Sequence, residues 1–253
     1  MQDKVKKTIV TAWLTVLLFA LLGNVHAWEV PAYLRFNGGA RLWFSAIDGD
    51  LIQGDRTKLG FNGNMGVTQD VFTWELFAGL RYNNIHALRL RGEPYTGYTS
   101  SANGSYQKVR NLRIGYDGDY YMSPQVLIGL NVDLDVLNLD TRVSNVTVVN
   151  VVYNYSESQT WAIPSIGLHG TFYPIIDGIS LRPNISSRFN WWDMDSRSMW
   201  DCEVASAVDI PINQLWTWTI AGGYRMWNTK IDRTRDTIDM TRRGFYIETA
   251  ILF

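Results

Sequence analysis

Between Val126 and Val136 the chain reads VLIGLNVDLDV, and Val126, Ile128, Leu130, Val132, Leu134 and Val136 alternate unbroken against Gly129, Asn131, Asp133 and Asp135. A strand turns successive side chains to opposite faces, so this stretch specifies one wholly apolar face backed by a face carrying two carboxylates. An apolar face of that length must meet lipid or a second sheet. Helical spacing is nearly absent after residue 27. Alternating segments of ten or more residues recur instead, separated by turn residues, as expected of strands that cross a bilayer in about 9–11 residues.

Taken in order, Leu34, Phe36, Gly38, Ala40, Leu42, Phe44 and Ala46 keep one apolar face, and Leu59, Phe61, Met65 and Val67 keep another within 58–67. Phe72 to Tyr82 alternates opposite Thr73, Glu75 and Arg81, and Asn83-Asn84 supplies a tight turn, since Asn tolerates left-handed backbone. Leu88 and Leu90 oppose Arg89, Arg91 and Glu93; Leu112, Ile114 and Tyr116 oppose Asn111, Arg113 and Gly115. Later apolar faces run through Ala162–Phe172, Ile179–Trp191, Trp200–Ile210 and Trp216–Met226. Loops are expected near 96–106, 140–157, 193–197 and 230–240, and short turns at 83–84, 121–124, 174–178 and 211–214.

The two ends of the chain bear on where it resides. Lys4, Lys6 and Lys7 precede an uncharged, mostly apolar run from Thr8 to Leu22, and small or compact Val25 and Ala27 follow. This is the pattern of a secretory signal peptide cleaved after Ala27; the run is shorter than the roughly 20 apolar residues of a spanning helix. Its removal takes three lysines and one aspartate from 23 basic and 24 acidic residues, leaving about −3, which predicts no special attraction for nucleic acid. Eleven Trp and 13 Tyr are more than a soluble core requires and suit aromatic belts at two membrane interfaces. Tyr120, Tyr121, Phe172, Tyr173, Trp216 and Phe253 are expected at one rim, and Trp191, Trp192, Trp200 and Trp227 at the other. The lone cysteine, Cys202, reads as a small apolar filler.

The chain stops on GFYIETAILF, where Phe245, Ile247, Thr249, Ile251 and Phe253 share one face. A last strand with alternating apolar positions and a terminal Phe resembles the C-terminal assembly signal of bacterial outer-membrane β-barrels; Phe245, Ile247, Ile251 and Phe253 carry the resemblance. It implies outer-membrane lipid as surroundings, and periplasmic chaperones and the barrel-assembly machinery as partners during biogenesis. The expected architecture is all-β: a signal peptide (1–27) and one antiparallel up-and-down transmembrane barrel (28–253). With both termini periplasmic the strand number is even. Ten is favoured, with 57–67 then part of a folded-back external loop; twelve is the alternative, with 28–47 split at Gly38-Gly39.

If the apolar faces meet lipid, the opposite faces line a lumen. They carry Arg81, Arg89, Arg91, Arg113, Arg182, Arg188, Arg225 and Arg242 with Glu75, Glu93, Asp133, Asp135, Asp201, Glu203 and Glu248. Charges removed from bulk water must be paired to be tolerated, so near balance favours an internal salt-bridge network that closes or narrows the lumen. A pore tuned by the same charges is the alternative. Catalysis, as a lipid- or peptide-modifying enzyme, would turn on His169. Its same-face neighbour Ser165 is four strand residues away, about 13 Å, beyond hydrogen-bond reach. Asp133 and Asp135, roughly 7 Å apart, could serve acid–base or metal chemistry, with ion pairing preferred. The Asp48-Gly-Asp50 and Asp193-Met-Asp195 tips lack the remaining positions of a calcium loop. No metal, cofactor or catalytic residue is expected.

Overall fold

The computed structural model describes residues 34–253 apart from 55, 56, 68, 69, 84, 124, 175–180, 195, 213–215, 234 and 235. The expected signal segment lies outside the described residues. The strands are β1 Leu34–Gln53, β2 Lys58–Gly60, β3 Asp70–Tyr82, β4 His86–Thr99, β5 Tyr106–Ser123, β6 Val126–Val148, β7 Val151–Phe172, β8 Arg182–Met194, β9 Arg197–Pro211, β10 Thr217–Asp232 and β11 Asp236–Leu252. Ten of them, β1 and β3 to β11, pair antiparallel in up-and-down order, and β1 pairs β11 to close the ring. The number is therefore ten and not twelve. Closure satisfies the edge strands, which in lipid would have no water to bond.

The seam closes at the last residue. Phe36 N–H donates to the Phe253 carbonyl at 2.7 Å and Phe253 N–H to the Phe36 carbonyl at 2.8 Å. The Phe253 ring stacks on Phe36 (centroids 5.9 Å) and on Trp216 (5.2 Å). Each such contact adds about 0.5–1.5 kcal/mol beyond area burial. Phe253→Asp removes both and sets a charge on the seam, so a several-fold lower yield of folded barrel is expected. The unheated mobility shift on electrophoresis measures this, and an undiminished yield would show that the seam does not depend on the ring.

The walls follow the alternation. Leu42, Phe44, Phe72, Leu88, Leu130, Leu168, Phe189, Ile247 and their equivalents point outward and are exposed on every side. The inward residues between them are mostly charged, small or amide-bearing, with the aromatic rings of Trp43 and Tyr246 among them. An apolar exterior around a polar interior reverses a soluble protein, and a girdle this continuous far exceeds the apolar patch of a soluble monomer.

Toward the far end, away from Phe253, this sense inverts. Along β6, Asn138, Asp140 and Arg142 point outward while Leu137, Leu139 and Val143 are buried inside. The expected loops at 140–157 and 230–240 are instead mostly strand. β6 and β7 turn through Val149 and Asn150, both at positive φ (46° and 64°), which match a two-residue hairpin with both central residues left-handed. The loop expected at 96–106 shortens to 100–105. Alternation continues past the apolar band with its faces exchanged, so a search for outward apolar residues stops too early.

The segment 57–67 folds over this far end, as the ten-strand reading requires. β2 pairs with β1 at Asp50–Ile52. Leu59, Phe61 and Met65 are wholly buried in one cluster with Ile47, Leu51, Leu137, Ile163, Ile238 and Met240. Burying side chains of this size stabilises by about 1.5–3 kcal/mol each. The Thr57 hydroxyl lies 3.1 Å from that of Tyr153 on β7, and β7 stands opposite β1 in the ring, so the segment spans the mouth.

Candidate functional site

The lumen below that apolar plug holds the expected charges, with Arg41 at their centre. Arg41, on β1, donates to both oxygens of Glu203 on β9 (Nη1 to Oε2 2.8 Å, Nη2 to Oε1 2.7 Å) and to Glu248 Oε2 on β11 (2.6 Å from Nη2). Its guanidinium lies 3.7 Å from the Tyr246 ring centroid, and the Tyr246 hydroxyl donates to Glu203 at 2.8 Å. The ring has room because residue 223 is glycine: a Cβ there would lie 2.5 Å from it.

Arg225 donates to both carboxylate oxygens of Asp201 (3.0 and 2.9 Å) and to Glu75 (2.6 Å). Arg113 bridges Asp135 (2.8 Å) on the adjacent strand and Asp201 (2.5 Å), four strands around the ring. Arg91 reaches Glu203 at 3.4 Å from the opposite wall. Arg242 grips Glu93 through two nitrogens (2.9 and 2.6 Å) and the Tyr98 hydroxyl at 2.8 Å. Trp43 lies under both Arg225 (4.8 Å) and Arg242 (4.4 Å), where the charged layer meets the apolar plug.

Toward the near end, Arg89 bonds Asp117 and Asp133 at 2.8 Å each, and Arg188 takes both oxygens of Asp117 (3.0 and 2.9 Å). Asn190 donates to Asp133 and accepts from Asn131 (2.7 Å). Gly115 admits this cluster, since a Cβ there would lie 2.0 Å from Asp133 Oδ1. Arg81 bonds Asp119 at 2.7 Å, and Asp119 also holds His169 Nε2 at 2.6 Å. Eight arginines (41, 81, 89, 91, 113, 188, 225, 242) thus face nine carboxylates (75, 93, 117, 119, 133, 135, 201, 203, 248), with His169 beside Asp119.

Of the residues named from sequence, the lumen brings all together except Arg182. That side chain is exposed at the start of β8, opposite Asp209 in register. It shares the inward parity of Arg188 but lies beyond the enclosed part of the wall. The sequence reading missed Arg41, Asp117 and Asp119. Arg41 alternates with Ala40 and Leu42, and Asp117 keeps the parity of Arg113, so the signal was there. Asp117-Gly-Asp119 has the composition of a turn, which concealed it.

The aromatic expectations divide. Tyr120, Phe172, Trp216, Trp191 and Phe253 are exposed outward, whereas Trp227 is fully buried and Trp192 packs against the inner cluster. Trp227 shares the face of Arg225, so its position along the strand was right and its side was wrong. Asp133 and Asp135 are each held by arginine, as ion pairing predicts. The Asp48 carboxylate accepts from Gly49 N–H at 2.8 Å and from Asn62 at 3.3 Å, a turn arrangement. Asp195 lies outside the described residues, and among those described there is no cluster of three metal-binding side chains.

Beyond the apolar band, Arg233 meets the Tyr155 hydroxyl at 3.1 Å, Asp236 at 3.6 Å and Glu157 at 3.7 Å, over the Trp161 ring at 5.1 Å. Burial pushes the Tyr155 hydroxyl and the Asp236 carboxyl up from their ordinary values.

No protein-family model and no curated protein matches the sequence. Among solved structures the chain is similar to the translocator domain of the autotransporter NalP from Neisseria meningitidis, at 7% identity over 98% of this chain and 97% of that one (TM-score 0.49). It is similar also to the outer membrane protease OmpT from Escherichia coli, at 10% identity over 87% and 96% (TM-score 0.45). A third is the outer membrane protein OprG from Pseudomonas aeruginosa, at 11% over 87% and 95% (TM-score 0.41). What this chain shares with them is the closed β-barrel.

Proposed function

We propose that the protein is an integral barrel of the outer membrane of a Gram-negative bacterium, with a sealed lumen and a structural rather than a conducting role. The supporting observation is that its ion pairs cross the lumen: Arg91 to Glu203 joins opposite walls, and Arg113 to Asp201 joins walls four strands apart. A water-filled path would have to pass between paired charges and then through the apolar plug of Phe61 and Met65. The apolar girdle and the C-terminal strand support membrane integration, with the near end periplasmic, the far end outside, residues 1–27 removed on export, and the barrel-assembly machinery and periplasmic chaperones as partners in biogenesis.

The test is single-channel conductance of the refolded mature chain in a planar bilayer. Silence from a demonstrably folded barrel is expected. Discrete, reproducible steps whose ion selectivity changes on charge reversal at Asp133 would overturn the sealed reading.

We assign His169 a structural role. Its Nε2 is engaged by Asp119, which Arg81 also neutralises, so the pair reads as part of the charge network. Lipid or peptide hydrolysis that disappears in His169→Ala would show otherwise.

A further inference from the structure

On the outer wall, β3 and β4 pair only from Leu76 to Tyr82 against His86 to Gly92. Beyond Gly92 the β4 strand bulges between Glu93 and Thr96, and Pro94 has no N–H to give to a ladder. The two strands therefore part at the upper edge of the apolar band. Gly92 lies in a lateral row with Leu76, Leu112 and Val136 and contributes no side chain to it. The result is an outward groove of about 720 Å³ lined by Trp74, Leu76, Leu90, Leu112 and Val136.

Directly beyond it, and sharing Arg110 and Asn138 as lining, lies a second, polar hollow of about 380 Å³. Lys108, Arg110 and Tyr95 line it with Asn138, Asp140, Ser158 and Thr160. Asp140 is already engaged, by Lys108 at 3.8 Å and by the Tyr106 hydroxyl at 3.4 Å. Arg110 is exposed, lies 5.8 Å from the Tyr95 ring, and has no carboxylate partner among the described residues. Arg142 points outward one row further, opposite Tyr106. An apolar groove thus ends in hydroxyls, amides and an excess of cations at the level where headgroups begin.

We propose that this composite site holds a phosphorylated, acylated lipid of the outer leaflet. One acyl chain would lie in the groove over Gly92, and the phosphate would meet Arg110 and Lys108. Cations paired with phosphate form charge-assisted hydrogen bonds, and the Ser158, Thr160 and Asn138 groups suit a hydroxyl-bearing headgroup. What separates this place from an ordinary lipid-contacting wall is that the apolar groove adjoins the polar hollow, the two sharing Arg110 and Asn138. The assignment rests on the membrane reading and on its orientation.

The test refolds the protein into phosphatidylcholine vesicles doped with lipid A, then records retained lipid by native mass spectrometry. Unheated electrophoretic mobility, read first, reports insertion and folding, so failure of the membrane reading is seen separately. Folded wild type is expected to retain lipid A in preference to phosphatidylcholine. Each cation near a membrane surface contributes roughly fivefold in affinity, so Lys108→Glu with Arg110→Glu should weaken retention by more than tenfold. Gly92→Leu sets a side chain in the groove, where a new Cβ meets nothing nearer than Leu112 Cδ1 at 4.0 Å, and should abolish retention in a folded barrel. Equal retention of both lipids, or retention unchanged in either folded variant, would overturn the proposal.

Discussion

Arg41→Met is expected to lower the unfolding free energy by about 3–5 kcal/mol, the cost of removing one partner from a buried ion pair. The side chain is wholly enclosed, and it is the main cation for both Glu203 and Glu248. Without it Arg91, at 3.4 Å, is the nearest remaining charge to Glu203, and Glu248 loses its arginine. Urea unfolding in lipid vesicles measures the loss. The same reasoning predicts rescue: in Arg41→Met with Glu248→Gln, Glu203 keeps Arg91 and Glu75 keeps Arg225, so most of the stability should be recovered. A loss under about 1 kcal/mol for the single variant would mean that water reaches the carboxylates, which would count equally against a sealed lumen.

What makes Arg41 the strongest case is what sequence alone could not reach. Its inward direction followed from Ala40 and Leu42 on either side. Its partners did not, because Glu203 and Glu248 lie 162 and 207 residues away and meet it only once β11 closes on β1. Alternation gives each residue a side, whereas cross-lumen pairing depends on the stagger between strands, which no single strand encodes. Strand number was legible because turn residues mark the hairpins, and Asn83 does take the left-handed backbone it was read for (φ 50°).

The far end was harder to read for a different reason. Asp140 and Arg142 look like the start of a loop when outward residues are required to be apolar, yet with Asn138 they continue β6. The hydrophobic side simply changes from outside to inside, where Leu137, Leu139 and Val143 cover the plug. Trp227 was misplaced for the same cause. Its height along β10 suits a rim, but its parity with Arg225 puts it indoors.

That change of side fixes where the membrane ends, and one strand can report it. On β7, Leu168 and Ser158 both point outward, ten residues apart, and both are exposed. Leu168 is flanked by Leu130 and Phe189 in the apolar girdle; Ser158 faces Asp140 beyond it. Leu168→Arg is expected to cost about 2–4 kcal/mol, the penalty of an arginine facing the hydrocarbon interior. Ser158→Arg should cost no more than about 0–1 kcal/mol, since it stands in water opposite a carboxylate. Urea unfolding of the two variants in the same vesicles gives the contrast directly. Equal costs would place both positions in one medium, and a costly Ser158→Arg would extend the hydrocarbon over the hollow at Lys108 and Arg110. The expected inequality puts that hollow at the hydrocarbon boundary, the one depth at which its two cations can meet a lipid headgroup while the groove beneath still holds the chain.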